Sequence, residues 1–173
     1  NLIKPLAIQA IKELFEMRKK EGSALLVALN TALETLRAST ERLRSRRAQC
    51  ATSYPERIQE KIASLFKHRN IQLDQDTSIE TTLASRVAKE LALILDRTDI
   101  EEELTRLAGH IEHFALVLET GGSVGRKLDF LLQEMQREIN TMGNKAQDMQ
   151  ISEEVVSTKV CLEQLREQVM NIE

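Results

Sequence analysis

A chain of 173 residues is long enough to bury a real core, and its composition narrows the fold class. Six glycines, two prolines and 3% aromatic residues, against plentiful Leu, Ala, Glu, Arg and Gln, point to an all-α protein and argue against sheets. A net charge of −3 excludes bulk electrostatic capture of nucleic acid, so a polyanion would have to meet a local basic patch.

The first predicted element opens at Pro5, a residue suited to the first turn of a helix. From there to about Cys50 only Gly22–Ser23 interrupts, and Leu25, Leu29, Ala32, Leu33, Leu36 and Leu43 keep an apolar stripe at helical steps. This reads as one long arm, bent near Gly22. Ser53-Tyr54-Pro55-Glu56 reads as the start of a return helix to about His68, with Ile58, Ile62, Leu65 and Phe66 inward. Residues 70–77 are expected to form a loop. Thr77 or Ser78 would cap a third helix with Leu83, Val87, Leu91 and Ile94 inward.

Asp99 and Glu102 resemble a capping box for a fourth helix, which Gly121–Gly122 ends near Thr120. A fifth helix is expected over about 124–149, with a break at Gly143. A sixth is expected over about 151–171, with Val155, Val160, Leu162, Leu165 and Val169 as apolar contacts. The predicted architecture is a set of long antiparallel helices forming an extended helical hairpin or bundle. Residues 1–77 would be the arm and its return, and residues 78–173 a C-terminal helical domain. No apolar run is long enough to span a bilayer. Cys50 and Cys161 match no zinc spacing and suggest a reducing, cytosolic setting, with a single disulfide as the alternative.

The stretch GRKLDFLLQEMQREIN, residues 125–140, sorts its side chains by type. At about 100° per residue, Leu128, Leu131, Leu132, Met135, Ile139 and Met142 form the core stripe. Asp129, Gln133, Gln136 and Asn140 form a second stripe about 120° away, with Arg126, Arg137 and Asn144 beside it. Lys127, Glu134, Glu138 and Lys145 line the other border of the apolar stripe. The plain reading is a solvated helix whose ion pairs contribute about 0.2–0.5 kcal/mol each. The sharper reading is a site: Glu134 and Glu138, one turn apart, can bring two carboxylates to one hard cation.

The fourth helix offers a complement. Arg106, His110 and His113 share a face, with Glu102 and Glu103 a turn or two earlier. Histidines at that spacing can reach one ligand, or move protons near neutral pH; the alternative is two ordinary, partly buried histidines. A third feature is the run Arg37, Arg42, Arg44, Arg46 and Arg47, either a solvated helix end or a phosphate-contact surface. It has almost no aromatic interleaving, so base stacking is not expected there.

The segment GRKLDFLLQEMQREINTMGNKAQD followed by LEQLREQVMNIE, together with RKKEGSAL, DRTDIEEELTRLAGHIEHF and GGSVGRKLDF, resembles the C-terminal signature of the YicC/YloC family. The likeness covers nearly the whole chain in order, as the C-terminal three-fifths or so of such a protein, with a further N-terminal domain in the family. Gln136, Asn144 and Gly109 stand where the family usually has Asn, Ser and Ser. The resemblance implies a cytoplasmic bacterial endoribonuclease, metal-dependent and assembled as a hexamer.

Joined to the faces above, it implies a site in which Glu134 and Glu138, with Asp129 or Glu103, hold Mn²⁺ or Mg²⁺. His110 or His113 would transfer protons, and Arg126, Lys127 and Arg137 would position phosphates of RNA. Gln133 and Asn140 would meet sugar or base edges of an unpaired segment, and Arg42, Arg44, Arg46 and Arg47 would grip flanking backbone. The alternative is a non-catalytic helical oligomerisation or adaptor module.

Overall fold

The computed structural model describes residues 3–68, 89, 92–94, 96–146, 148–170 and 172; within 52–68 only the side chain of Glu60 is described. Every element among the described residues is an α-helix: α1 (Ile3–His68), α2 (Glu101–Thr120), α3 (Gly125–Lys145) and α4 (Met149–Val169). The all-α expectation holds.

The central part of α1 forms a four-helix bundle with α2, α3 and α4. Each helix packs on two neighbours, α1 on α2 and α4, and α3 on α2 and α4, which leaves α1 and α3 diagonally opposed. Ion pairs fix the directions. Arg37 reaches Glu112 while Arg47 reaches Asp99, so α1 runs antiparallel to α2. Arg42 reaches Glu154 while the Cys161 thiol lies 3.8 Å from the carbonyl of Ala32, so α1 also runs antiparallel to α4.

The core is the sum of the apolar stripes. Leu29, Leu33, Leu36 and Leu43 come from α1, Leu104, Leu107, Ile111 and Phe114 from α2, and the predicted stripe Leu128 to Met142 from α3 is buried throughout. Leu162, Leu165 and Val169 complete it from α4. Burial of each such side chain contributes about 1.5–3 kcal/mol.

Three boundaries differ from expectation. Residues 3–68 are a single helix of 66 residues, with no cap at Ser53 and no turn before Pro55. Proline keeps a helical φ, and although it loses one hydrogen bond and crowds the carbonyl four residues back at a cost of about 3 kcal/mol, one proline does not have to end a helix. Gly22 and Gly143 likewise interrupt nothing. Gly143 is where α3 crosses α4, since a Cβ there would lie 3.2 Å from a Val155 methyl carbon.

The Asp99–Glu102 capping box is not formed. Asp99 accepts from the Glu101 amide and from both ends of the Arg47 guanidinium, while Glu102 pairs with Arg106. Gly121 and Gly122 do end α2, with φ of 64° and 83°. Asp148 caps α4 by accepting from the amides of Gln150 and Ile151.

Val160 and Ile94, expected inward, are exposed. Val160 sits beyond the edge of the face that Val155, Leu162 and Val169 share. The expected loop at 70–77, its capping residues, and Leu83, Val87 and Leu91 lie outside the described residues, as do the side chains of Ile58, Ile62, Leu65 and Phe66. Both cysteines are free thiols. Among the described residues no helix is long and apolar enough to cross a membrane.

The α1 arginines dock the helix by charge as well as packing. Arg47 holds the Asp99 carboxyl below its usual range through a two-point hydrogen bond, and Arg42 does the same to Glu154. A carboxyl whose folded value is depressed contributes in full above its unfolded value, roughly 4, and loses that contribution as pH falls through the folded one. The urea midpoint should therefore drop as pH falls below about 4. Replacing Arg42 and Arg47 together by Gln should flatten that acid-side slope. An unchanged slope would detach these carboxylates from the docking of α1.

Candidate functional site

Helix α3 carries two polar faces, and the bundle sends them to different neighbours. One face meets α2. There Arg106 Nε donates to Glu138 Oε1 at 3.0 Å, and Lys145 Nζ reaches Glu103 Oε1 at 2.7 Å. Lys145 also donates to the carbonyl of Asp99. Both carboxylates are withdrawn from solvent, Glu103 at 2% and Glu138 at 5% exposure. Arg106 bridges them, with its second contact to Glu103 at 3.8 Å. Glu103 Oε2 has no hydrogen-bond partner among the described residues.

The antiparallel register set by these pairs extends one turn further in each direction. Four residues on from Arg106 is His110, and four residues back from Glu138 is Glu134, so these two fall opposite each other across the seam. The next turn is a hollow of ≈ 260 Å³ lined by His113, Val117, Arg126, Lys127, Phe130 and Leu131. Glu134, Glu138, His110 and His113 therefore lie along one seam.

The other face of α3 meets α4. A groove of ≈ 360 Å³ is lined by Gln133, Gln136, Arg137, Asn140 and Asn144 from α3, and by Glu163 and Arg166 from α4. It leads through Arg166 into a second hollow with Ser123, Arg126 and Asp129. Asp129 accepts from the Gln133 amide at 2.8 Å. Gln136 and Asn140 face each other more loosely, at 3.4 Å.

The four carboxylates expected at a cation do not gather in one copy. Asp129 faces α4, whereas Glu134 and Glu138 face α2, and Glu103 lies on α2 itself, facing α3. Glu103 and Glu138 are already neutralised by Lys145 and Arg106. Among the described residues no three His, Cys, Asp or Glu side chains converge as a metal site would require. Glu134 is half-buried and has no ion pair among the described residues.

The basic residues divide just as sharply. Arg42, Arg44 and Arg47 each hold a carboxylate: Glu154, Glu41, and Asp99 with Glu101. Arg46 donates to Gln49 and shares its hollow with Glu41, Glu153 and Glu154. Arg126, Lys127, Arg137 and Arg166 have no ion pair among the described residues.

The model of the endoribonuclease YicC-like C-terminal family matches residues 43–173. The chain belongs to that family. Its YicC-like relatives include a protein named "Probable endoribonuclease YicC" in Haemophilus influenzae, 34% identical over 163 residues, which are 94% of this chain and 52% of the relative. A protein of the same name in Clostridioides difficile is 35% identical over 164 residues, 95% of this chain and 53% of the relative. The chain thus spans about half the length of these YicC relatives. The matched segment begins at Leu43, so it contains both the α2–α3 seam and the α3–α4 groove.

Two lining residues escaped the sequence reading. Arg166 joins the groove through the α3–α4 crossing, which no local pattern reveals. Phe130 was legible: it falls outside the core stripe of α3, on a face otherwise polar.

Lys145 is the residue on which the seam should depend most. Its removal leaves Glu103 charged, buried and poorly paired, so Lys145→Met should destabilise the chain by about 3 kcal/mol. Adding Glu103→Leu should recover much of that loss. Thermal melts of the single and double variants check it, and a Lys145→Met melt equal to wild type would show that Arg106 alone satisfies Glu103.

Proposed function

We propose that this chain is the RNA-holding part of an endoribonuclease that cleaves phosphodiester bonds at unpaired segments, in the cytoplasm. The observation that carries the reading is the division of the cations. Arg37, Arg42, Arg44 and Arg47 of α1 are consumed by internal carboxylates, while Arg126, Lys127, Arg137 and Arg166 have no ion pair among the described residues along α3 and α4. In a chain of net charge −3, unpaired arginines gathered on two helices suit an anionic ligand. The relatives' name supplies the reaction class.

Endonucleolytic cleavage needs a group to take a proton from the attacking oxygen, a group to return one to the leaving oxygen, and cations where phosphate charge grows. His110 and Glu134 are the proton-transfer groups of this proposal, with His113 beside them. Arg126 and Lys127 are cations that line the same hollow as His113. Glu138, buried on Arg106, positions that seam rather than touching RNA. Arg137 and Arg166 suit flanking phosphates, and Gln133, Gln136 and Asn140 suit ribose 2′-hydroxyls and base edges. Arg42, Arg44 and Arg47 would first have to release a carboxylate, so they stand second in this proposal. Mn²⁺ or Mg²⁺ belongs to it only where an assembly adds ligands to Glu134, and no step here runs through such an ion.

Glu134→Gln should fold normally and cut a single-stranded RNA at least about 100-fold more slowly, the scale on which a positioned proton carrier contributes. Arg137→Ala and Arg166→Ala should each lower the log–log salt slope of RNA binding by about 0.7. Gel-based cleavage and affinity at several salt concentrations measure both. Full activity in Glu134→Gln would remove the seam from the chemistry.

The reading as an assembly module has its own support. The first third of α1 exposes Ile3, Leu6, Ile11, Leu14 and Phe15, far more apolar surface than a lone helix leaves in water. We assign this stretch to contacts between copies, six by family resemblance, alongside the RNA function. Light scattering at micromolar concentration should give an oligomer, and a monomer would overturn the assignment.

A further inference from the structure

Phe130 sits where the core does not require it. It lies about 200° around α3 from Leu128, and 59% of it is exposed. Val117 and Leu131, both buried, form the apolar part of the hollow beside it, and His113, Arg126 and Lys127 supply its polar part. Among the described residues no carboxylate lines this hollow. Arg126 and Lys127 have no ion pair among the described residues, although the seam one and two turns away is rich in carboxylates.

The ligand that matches has a flat apolar face with negative charge attached close to it. An apolar helix of another protein would cover the ring and strand the two cations. A free phosphate would satisfy the cations and leave the ring in water. A nucleotide with an unpaired base does both, and its base fits a hollow of ≈ 260 Å³ open on one side.

We propose that Phe130 is a stacking platform for one unpaired base of RNA, with Arg126 and Lys127 on the adjoining phosphates. This rests on the RNA reading above and gives it a fixed point. Glu134 is one turn, about 5.4 Å, further along α3. A base held on Phe130 therefore sets the neighbouring phosphodiester against the His110–Glu134 stretch of the seam. Phe130 is a positioning residue, and its stacking is tolerant of base identity because every base has a π-face.

The test uses the 173-residue chain and a short single-stranded RNA carrying one 2-aminopurine, verified intact by gel after each measurement. Affinity is measured at several salt concentrations together with 2-aminopurine fluorescence, which stacking on an aromatic ring quenches. Phe130→Leu keeps an apolar side chain and removes the flat face. It should weaken binding about tenfold, abolish the quenching and leave the salt slope unchanged, since no phosphate contact is lost. Phe130→Trp should restore affinity and quenching. Arg126→Ala should show the converse, a shallower slope with quenching retained.

Unchanged affinity and quenching in Phe130→Leu would overturn the platform and leave the RNA reading standing. Failure of the wild-type chain to bind the RNA would overturn that reading and the platform with it. A Phe130→Leu chain of reduced molar mass in light scattering, with RNA affinity intact, would assign this face to a protein contact and overturn the proposal.

Discussion

The bond between Lys145 and Glu103 is the constraint on which the arrangement of α2 and α3 depends. A carboxylate at 2% exposure costs several kcal/mol unless a cation meets it, and here the cation comes from the other helix at 2.7 Å. Because donor and acceptor sit on different helices, the pair also selects a register. Sliding α3 by one turn would take Lys145 from Glu103 and leave that carboxylate only the longer contact to Arg106 at 3.8 Å. Arg106 on Glu138 repeats the condition one turn along, so two buried acids agree on a single alignment. That alignment sets His110 across from Glu134, and His113 beside Lys127 and Phe130.

Charge is used in two ways on this chain, and position in the bundle separates them. Arg37, Arg42 and Arg47 project from α1 toward acids on α2 and α4, where each guanidinium offers a planar fork to a carboxylate. They act as docking bonds beside the packing of Leu29, Leu33, Leu36 and Leu43, with Leu25, Ala32 and Cys50 at its margin. The arginines of α3 and α4 point into grooves whose other walls are mostly amides and apolar carbon. Glu163 and Asp129 line the same grooves, yet neither forms an ion pair with these arginines among the described residues, which leaves their electrostatic potential for a ligand.

The length of α1 follows from what supports it. Among the described residues its middle is covered, by α2 and α4, and the first 24 residues are exposed wherever they are described. An isolated helix gains little from propensity alone and relies on tertiary burial of its apolar face. The apolar residues Ile3, Leu6, Ile11 and Leu14 give this stretch a face that no described residue of the chain buries. A helix of 66 residues, roughly 100 Å long, thus joins the bundle to an exposed apolar stretch.

The sequence alone determined the class and most of the local structure. Helical spacing located the core residues of α3, all of them buried, because side chains on one face of a helix share one environment. Paired glycines marked the end of α2, because positive φ is a property of the residue itself. The motifs around residues 125–140 also pointed to the family, which the match over residues 43–173 shows. What a wheel diagram could not decide was which polar face of α3 met which neighbour. That depended on the α2–α3 register and on the crossing of α3 with α4, both long-range. Hence Glu138, read as an open carboxylate, is buried on Arg106, and Arg42 and Arg47, read as free, are held by acids 112 and 52 residues away. Ion pairing between distant segments leaves no periodic trace in a sequence. Only the packed helices settle which charges are spent within the chain and which remain exposed to a partner.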